Sequence, residues 1–144
     1  MHLYTIGYQG RSIDEVIALL CQHEVEFLID VRESPWSRRA EFRKETLARA
    51  VQGAGIIYEH WPALGSLRRI RQAYRRDGDW SRFEERFRAY LATRAETLDS
   101  LTALAEQYTV CLLCYERSPD RCHRCLVAEA VRDLAVGELE VVHL

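Results

Sequence analysis

The chain has 144 residues, a net charge of −2 at pH 7 and 29% charged residues, which is the composition of an ordinary globular protein. The length predicts a single domain over residues 1–144, and no apolar stretch approaches the ~20 residues of a membrane span. The near-neutral charge excludes a chain-wide attraction to nucleic acid or to membrane surfaces.

The cysteines and the first residues indicate a cellular compartment. The chain has five cysteines, an odd number that does not fit a disulfide framework. Its N-terminal residues lack the basic region, apolar region and cleavage site of a signal peptide. We therefore expect a cytoplasmic protein whose thiols stay reduced.

The first half of the chain alternates short apolar runs with helical ones. Ser12 and Glu15 form a capping box, which marks the start of the first helix. The hydrophobic spacing predicts, in chain order, a strand at 3–8, a helix at 12–22, a strand at 27–31, a helix that contains 46–51 and a strand at 56–60.

The second half of the chain contains more helix. It begins with an arginine-rich stretch, for which we expect a short helix that breaks at Asp77-Gly78-Asp79. The pattern then predicts one long helix or two helices over 83–104, a strand at 109–115, a helix at 122–134 and a strand at 139–143.

Strands that alternate with helices predict an α/β fold. We expect a three-layer, Rossmann-like sandwich with a mostly parallel five-stranded sheet in the order 3-2-1-4-5. Ligands bind such sheets in the crevice beyond the carboxyl ends of the strands. The polar segments that follow the strands should therefore share one crevice, and these are residues 7–10, 30–39, 60–65 and 114–124.

The segment from Cys114 to Arg124 carries the strongest chemical signal. A buried strand here delivers Cys114 and Glu116 into a loop, and a helix begins at Cys122 and His123. A helix N-terminus binds anions and lowers the pKa of a nearby thiol. Cys114 and Cys122 are therefore a candidate nucleophile or redox pair, or else inert packing residues. Glu116 is a general acid or base, or an ion-pair partner of a neighbouring arginine.

The spacing Cys111-x-x-Cys114 with Cys122-x-x-Cys125 also has the form of a four-thiolate zinc site. However, residues 111 and 114 point to opposite faces of an extended strand. Leu112 and Leu113 are core residues rather than the turn residues of a metal knuckle. The sequence therefore predicts no metal and no cofactor.

Further candidates follow the second and third strands. Asp30 and Arg32 either contact substrate or form a buried ion pair at the border of the site. Ser37 and Arg38 either bind an anion or lie in a solvated basic loop. His60 is either a general base or a structural hydrogen-bond donor.

A cluster of arginines precedes the long helical segment. It could bind a nucleic-acid backbone, with Tyr74 and Trp80 nearby for stacking, or it could be a solvated helix face. The cluster consists of Arg68, Arg69, Arg71, Arg75 and Arg76.

These motifs resemble the family called domain of unknown function 488. The most specific are Leu113-Cys-Tyr-Glu116 and Cys122-His-Arg124, and the others are Thr5-Ile-Gly7, Asp30-Val-Arg32, Ser37-Arg38, Tyr58 with His60, and Pro62-Ala-Leu-Gly65. The resemblance implies a three-layer α/β fold whose polar motifs, Gly7 among them, line one pocket, and it implies no particular reaction. Tyr8 stands where many relatives have histidine, and it is a candidate for the same pocket because it follows the first strand. In this family Cys111 and Cys125 lie outside the shared pattern.

A second similarity is weaker. Leu28-Ile-Asp-Val-Arg-Glu33 is similar to the opening of rhodanese domains, but the Cys-x4-Arg cradle of those enzymes is absent. Sulfur transfer is therefore an analogy.

The leading hypothesis is an enzyme that uses Cys114 as its principal reactive group. Glu116 and His123 would transfer protons, and Arg32, Arg38 and Arg124 would hold an anionic, nucleotide-like small molecule. One alternative is a module that binds a nucleotide or nucleic acid without catalysis. A further alternative is sulfur or redox transfer through Cys114 and Cys122.

Overall fold

Strands and helices alternate along the chain in the computed structural model, which describes residues 1–144. The elements are β1 (His2–Gly7), α1 (Ile13–Gln22), β2 (Phe27–Asp30), α2 (Lys44–Gly53), β3 (Ile57–His60), α3 (Arg68–Asp77), α4 (Trp80–Ala92), α5 (Ala95–Gln107), β4 (Val110–Cys114), α6 (His123–Leu134) and β5 (Glu140–His143). Short 3₁₀ helices lie at Ala40–Phe42, Pro62–Leu64 and Pro119–Arg121. None of the helices combines the length and the apolar character that a membrane span requires.

The five strands form one parallel sheet in the order β3-β2-β4-β1-β5. The predicted three-layer, Rossmann-like α/β fold is confirmed, but the predicted order 3-2-1-4-5 is wrong. β4 lies between β2 and β1 and pairs with both. All five of its residues, Val110–Cys114, are buried, and a strand without polar residues is best accommodated at the centre of a sheet that is covered on both faces.

Each face of the sheet packs against its own helices. Alternate residues of β4 point to opposite faces: Leu112 and Cys114 belong to the core formed with α4, α5 and α6. Cys111 and Leu113 belong to the core formed with α1 and α2. Each fully buried aliphatic side chain stabilises the fold by on the order of 1.5–3 kcal/mol.

The order of the strands sets the position of the site. Gly7 at the end of β1 pairs with Cys114, and Asp30 at the end of β2 pairs with Leu113. The carboxyl ends of three adjacent strands therefore meet, and the loops that leave them enclose one crevice.

Gly7 allows the loop after β4 to fold back over β1. A Cβ atom at this position would lie 1.6 Å from the backbone oxygen of Glu116, which no conformation of a side chain relieves. The absence of a side chain at Gly7 thus fixes how closely the Glu116 loop approaches the sheet.

Candidate active site

A cavity of about 800 Å³ opens at the carboxyl ends of β1, β2 and β4, which is within the range of about 300–1,000 Å³ typical of small-molecule sites. It brings together eight of the twelve residues that the sequence predicts for the site. These are Tyr8, Arg32, Ser37, Arg38, Cys114, Glu116, Cys122 and His123. Gly7, Asp30, His60 and Arg124 lie outside its lining.

Two sulfur atoms and an imidazole meet in this cavity. Cys114 ends β4, Cys122 immediately precedes α6, and His123 is the first residue of that helix. One ligand atom from each of the three side chains lies within 4.8 Å of the other two. The Sγ atom of Cys114 lies 3.7 Å from Nδ1 of His123 and 3.5 Å from Oε2 of Glu116.

The ring of His123 is held in one tautomer. Its Nε2 atom lies 2.7 Å from the carbonyl oxygen of Val31, and a carbonyl only accepts hydrogen bonds, so Nε2 carries the proton. Nδ1 is then an acceptor directed at the sulfurs. The edge of the ring packs against Phe87, with the centroids 5.4 Å apart.

The two cysteines differ in their electrostatic surroundings. Burial opposes ionisation of Cys122, but hydrogen bonds with Cys114 and His123 and the charge of Arg124 hold the pKa of its thiol well below the ordinary value. The hydrogen bond to Cys122, burial and the carboxylate of Glu116 raise the pKa of Cys114 well above that value. Cys122 is therefore the sulfur that ionises more readily.

The negative charge of Cys122 also acts on His123 and Glu116, the two candidates for proton transfer. Burial disfavours a charged His123, but the hydrogen bond to Cys122 and its negative charge raise the pKa of the imidazole. Glu116 is exposed on its outer side, with its carboxylate turned inward to Cys114. Desolvation of this carboxyl group, followed by the charge of Cys122, raises its pKa.

Arg124 positions the loop after β4. It is completely buried and donates hydrogen bonds to the backbone oxygens of Glu116 (2.5 Å) and Arg117 (3.2 Å) and to Oγ1 of Thr5 (3.1 Å). It forms no ion pair with a carboxylate. The guanidinium thus lies behind the cavity, where it holds the loop that carries Glu116.

Asp30 and Arg32 form the buried ion pair that was one of the two interpretations of these residues. The carboxylate accepts hydrogen bonds from Arg32 at 2.7 and 2.9 Å and from the hydroxyl of Tyr58 at 2.5 Å. Arg32 also donates to the hydroxyl of Tyr8 at 3.2 Å and to the carbonyl oxygen of Phe42 at 2.9 Å. Burial disfavours the charge of Arg32, but Asp30 outweighs it and raises the pKa of the guanidinium.

His60 and Ser37 hold the loop that follows β2. The imidazole of His60 lies 2.7 Å from the carbonyl oxygen of Arg32 through Nε2, which is the structural role considered for it. The hydroxyl of Ser37 accepts a hydrogen bond from the backbone of Arg39 at 3.1 Å. Arg38, between Ser37 and Arg39 in the chain, is exposed and lines the cavity.

The arginines around the cavity fall into two groups. Arg71 and Arg39 pair with carboxylates, Glu33 at 3.1 Å and Glu41 at 3.0 Å respectively. A second group lines the cavity and makes neither an ion pair nor a side-chain hydrogen bond, and its members are Arg38, Arg75 and Arg121. From the predicted arginine cluster, only Arg71 and Arg75 reach the cavity, while Arg68, Arg69 and Arg76 are exposed elsewhere.

Aromatic side chains form a wall that sequence reasoning did not assign to this site. Trp36, 59% exposed, lies on one side. On the other side, Trp80 stacks on Phe83 at 4.9 Å and meets Tyr74 at 5.8 Å. The position of Trp36 just after β2 was a usable signal, whereas Trp80 reaches the cavity only through the packing of α3 and α4.

The four cysteines of the possible zinc pattern do not converge. Cys111 is completely buried on the opposite face of the sheet from Cys114, as its strand position predicts. The thiol of Cys125 donates to the backbone oxygen of Cys122 at 2.9 Å. Burial and the charge of Cys122 raise the pKa of Cys125 to about 11.

Comparison with known proteins gives one match. Residues 12–131 match the family model described as Domain of unknown function DUF488. No curated protein and no solved structure matches the chain.

Proposed function

We propose that the chain, which belongs to the family described as Domain of unknown function DUF488, is a thiol-dependent enzyme that acts on an anionic substrate. The observation that carries the proposal is the convergence of Cys114, Cys122 and His123 in a cavity whose wall holds arginines without counter-ions. A nucleophile, a base and an anion-binding wall are the parts that such an enzyme requires.

We assign the nucleophile to Cys122 rather than to Cys114. Cys122 lies at the N-terminus of α6, where the helix dipole stabilises a thiolate. Cys114 lies 3.5 Å from the carboxylate of Glu116, and this negative charge disfavours a second anion. Cys114 serves as the neutral thiol beside the nucleophile.

His123 is the base in this assignment. Nδ1 takes the proton of Cys122, and the sulfur then forms a bond to an electrophilic atom of the substrate. The bond to the leaving group breaks, the leaving group departs with the electron pair, and the imidazolium of His123 supplies its proton. Glu116 takes part as a carboxylate that holds the thiol of Cys114.

The wall of the cavity indicates the class of substrate. Arg38, Arg75 and Arg121 present guanidinium groups with unused donors, which suit phosphate or carboxylate. Trp36 and Trp80 offer flat surfaces for a planar group. A nucleotide-like small molecule satisfies both features.

The proposal includes a cytoplasmic location. All five cysteines are free, and the chemistry requires that Cys114 and Cys122 stay reduced, as thiols do in the cytosol.

Alkylation with two matched reagents tests the proposal. Protein kept in a metal chelator is treated at pH 7 with iodoacetate, which is anionic, or with iodoacetamide, which is neutral, and mass spectrometry locates the modified cysteine. For each cysteine we compare the rate of reaction with iodoacetate to the rate with iodoacetamide. We expect this ratio to be about tenfold higher for Cys122 than for the exposed Cys21, because the cavity concentrates anions.

Three variants complete the alkylation experiment. Cys122→Ser should abolish the fast reaction, Cys114→Ser should retain it with a changed rate, and Cys21→Ser should leave it unaltered. If Cys122 reacts no faster than Cys21 in the folded protein, the proposed enzyme is wrong. If AMP then binds equally well to the native chain and to Cys122→Ser, the result favours the alternative of a nucleotide-binding module without catalysis.

A further inference from the structure

We propose that Cys114, Cys122 and His123 also form a binding site for one zinc ion, which lowers the reactivity of both sulfurs while it is bound. This site differs from the four-thiolate pattern in the sequence, because its third ligand is an imidazole. The inference concerns metal binding and goes beyond the proposed thiol chemistry.

The distances among the three side chains fit a zinc ion. Tetrahedral zinc with bonds of about 2.3 Å to sulfur and about 2.0–2.1 Å to nitrogen places its ligand atoms about 3.5–3.8 Å apart. The Sγ atom of Cys114 and Nδ1 of His123 lie 3.7 Å apart, and all three ligand atoms lie within 4.8 Å of one another. The separations that involve Cys122 are therefore at most about 1 Å longer than zinc requires.

The surroundings of His123 are those of a metal ligand. Nε2 donates to the carbonyl oxygen of Val31 at 2.7 Å, which leaves the lone pair of Nδ1 directed at the two sulfurs. Most ligating histidines are oriented in this way, by a hydrogen bond from the other ring nitrogen to a carbonyl, a carboxylate or a water. The ring is 9% exposed, so its position is set by packing before any metal arrives.

Buried charge also favours a pair of thiolates here. Arg124 is completely buried, and no carboxylate pairs with it. This buried positive charge, two residues from Cys122 in the chain, offsets the negative charge that two thiolate ligands bring to a zinc site. When zinc binds, the thiol protons pass to solvent, two Zn–S bonds form and no electrons are transferred.

The donor types select the metal. Two thiolates and an imidazole are the ligands of zinc rather than of magnesium or calcium, which take oxygen. Glu116 is a candidate for the fourth ligand, because its carboxylate lies 3.5 Å from the sulfur of Cys114. A thiolate bonded to zinc is a weaker nucleophile than the free thiolate, and a zinc ion also occupies the lone pair of Nδ1 of His123, so bound zinc slows the proposed reaction.

Metal titration tests the inference. Full-length protein is freed of metal, titrated with zinc against a chromophoric chelator, and titrated separately with cobalt, whose thiolate complexes give a charge-transfer absorption band. We expect one zinc per chain, a cobalt–thiolate band, and a slower iodoacetate reaction of Cys122 when zinc is bound. Cys114→Ser and Cys122→Ser should each weaken zinc binding by more than about 100-fold.

Two control variants identify the ligand set. Cys125→Ser and Cys21→Ser change sulfurs outside the three-residue group and should retain full zinc affinity, and circular dichroism verifies that every variant folds. No zinc binding, or equal binding by native protein and Cys122→Ser, overturns the inference, as does a loss of binding in Cys125→Ser. If Cys122 is alkylated fast but the protein binds no zinc, only the metal site is wrong. If the protein binds zinc but Cys122 is not alkylated fast, only the proposed enzyme is wrong.

Discussion

Asp30 supports the floor of the crevice through its carboxylate. It is completely buried and accepts hydrogen bonds from Arg32 and Tyr58, which come from different segments of the chain. Arg32 in turn holds the hydroxyl of Tyr8 and the carbonyl oxygen of Phe42. One buried carboxylate therefore links the residue after β1, the loop after β2 and Tyr58 within β3.

Replacing Asp30 with asparagine should destabilise the fold strongly. The change leaves Arg32 buried without a counter-ion, and breaking a buried pair in this way costs about 3–5 kcal/mol. Urea unfolding of the native chain and of Asp30→Asn measures the difference. The matched control is Glu84→Gln, which removes one of the two exposed ion-pair partners of Arg88 and should cost less than about 1 kcal/mol. Equal losses in the two variants would contradict this account.

Among strands and loops, the closest packing that shapes the site is that of β1 against the loop after β4. Gly7→Ala places a methyl group 1.6 Å from the backbone oxygen of Glu116, so the loop has to move. We expect the variant to lose the preference of Cys122 for iodoacetate and to unfold at lower urea concentration than the native chain.

Gly53→Ala is the control for that experiment. Gly53 ends α2, and a Cβ atom there would have no neighbour within 4 Å, so this variant should keep both its reactivity and its stability. An unchanged alkylation preference in Gly7→Ala would show that the close approach of the loop is unimportant.

Across the complete chain, hydrogen bonds join the last strand to the first. Arg124 donates to the hydroxyl of Thr5, and that hydroxyl lies 2.5 Å from Nδ1 of His143 in β5. The hydroxyl therefore donates to a neutral imidazole. Burial, followed by the charge of Arg124, lowers the pKa of His143.

This lowered pKa predicts a dependence of stability on acidity. The unfolded chain binds a proton at His143 below about pH 6.5, before the folded chain does, so the contribution of His143 is complete above that pH and is lost as the pH falls through the folded value. The difference in unfolding free energy between native protein and His143→Gln should shrink from about pH 8 to about pH 5. A difference that stays constant over this range would refute the prediction.

The convergence of the strand ends could be predicted from the sequence, because it needs only the alternation of strands and helices. The predicted ends of two helices are also confirmed. The hydroxyl of Ser12 caps α1 by accepting a hydrogen bond from the backbone N–H of Glu15 at 3.1 Å. Gly78, with a φ of 62°, ends α3. Each of these depends on a few neighbouring residues whose chemistry permits one local conformation.

The strand order and the roles of several residues could not be predicted from the sequence, for a physical reason. The place of β4 depends on competition between pairings that lie far apart in the chain. Arg124 and His60 bind backbone carbonyls of other segments, and a carbonyl is present at every residue and leaves no pattern in the sequence. The arginines that face the cavity likewise depend on how α3 packs.

The central place of β4 also determines when the sheet assembles during synthesis. β2 and β1 share no edge and are joined only through Val110–Cys114, so both strands are synthesised before their common neighbour. Parallel pairing over such long sequence separations forms slowly. The centre of the sheet is therefore completed only after residues 110–114 have been synthesised, and the sulfur of Cys114 emerges with the strand that joins β1 to β2.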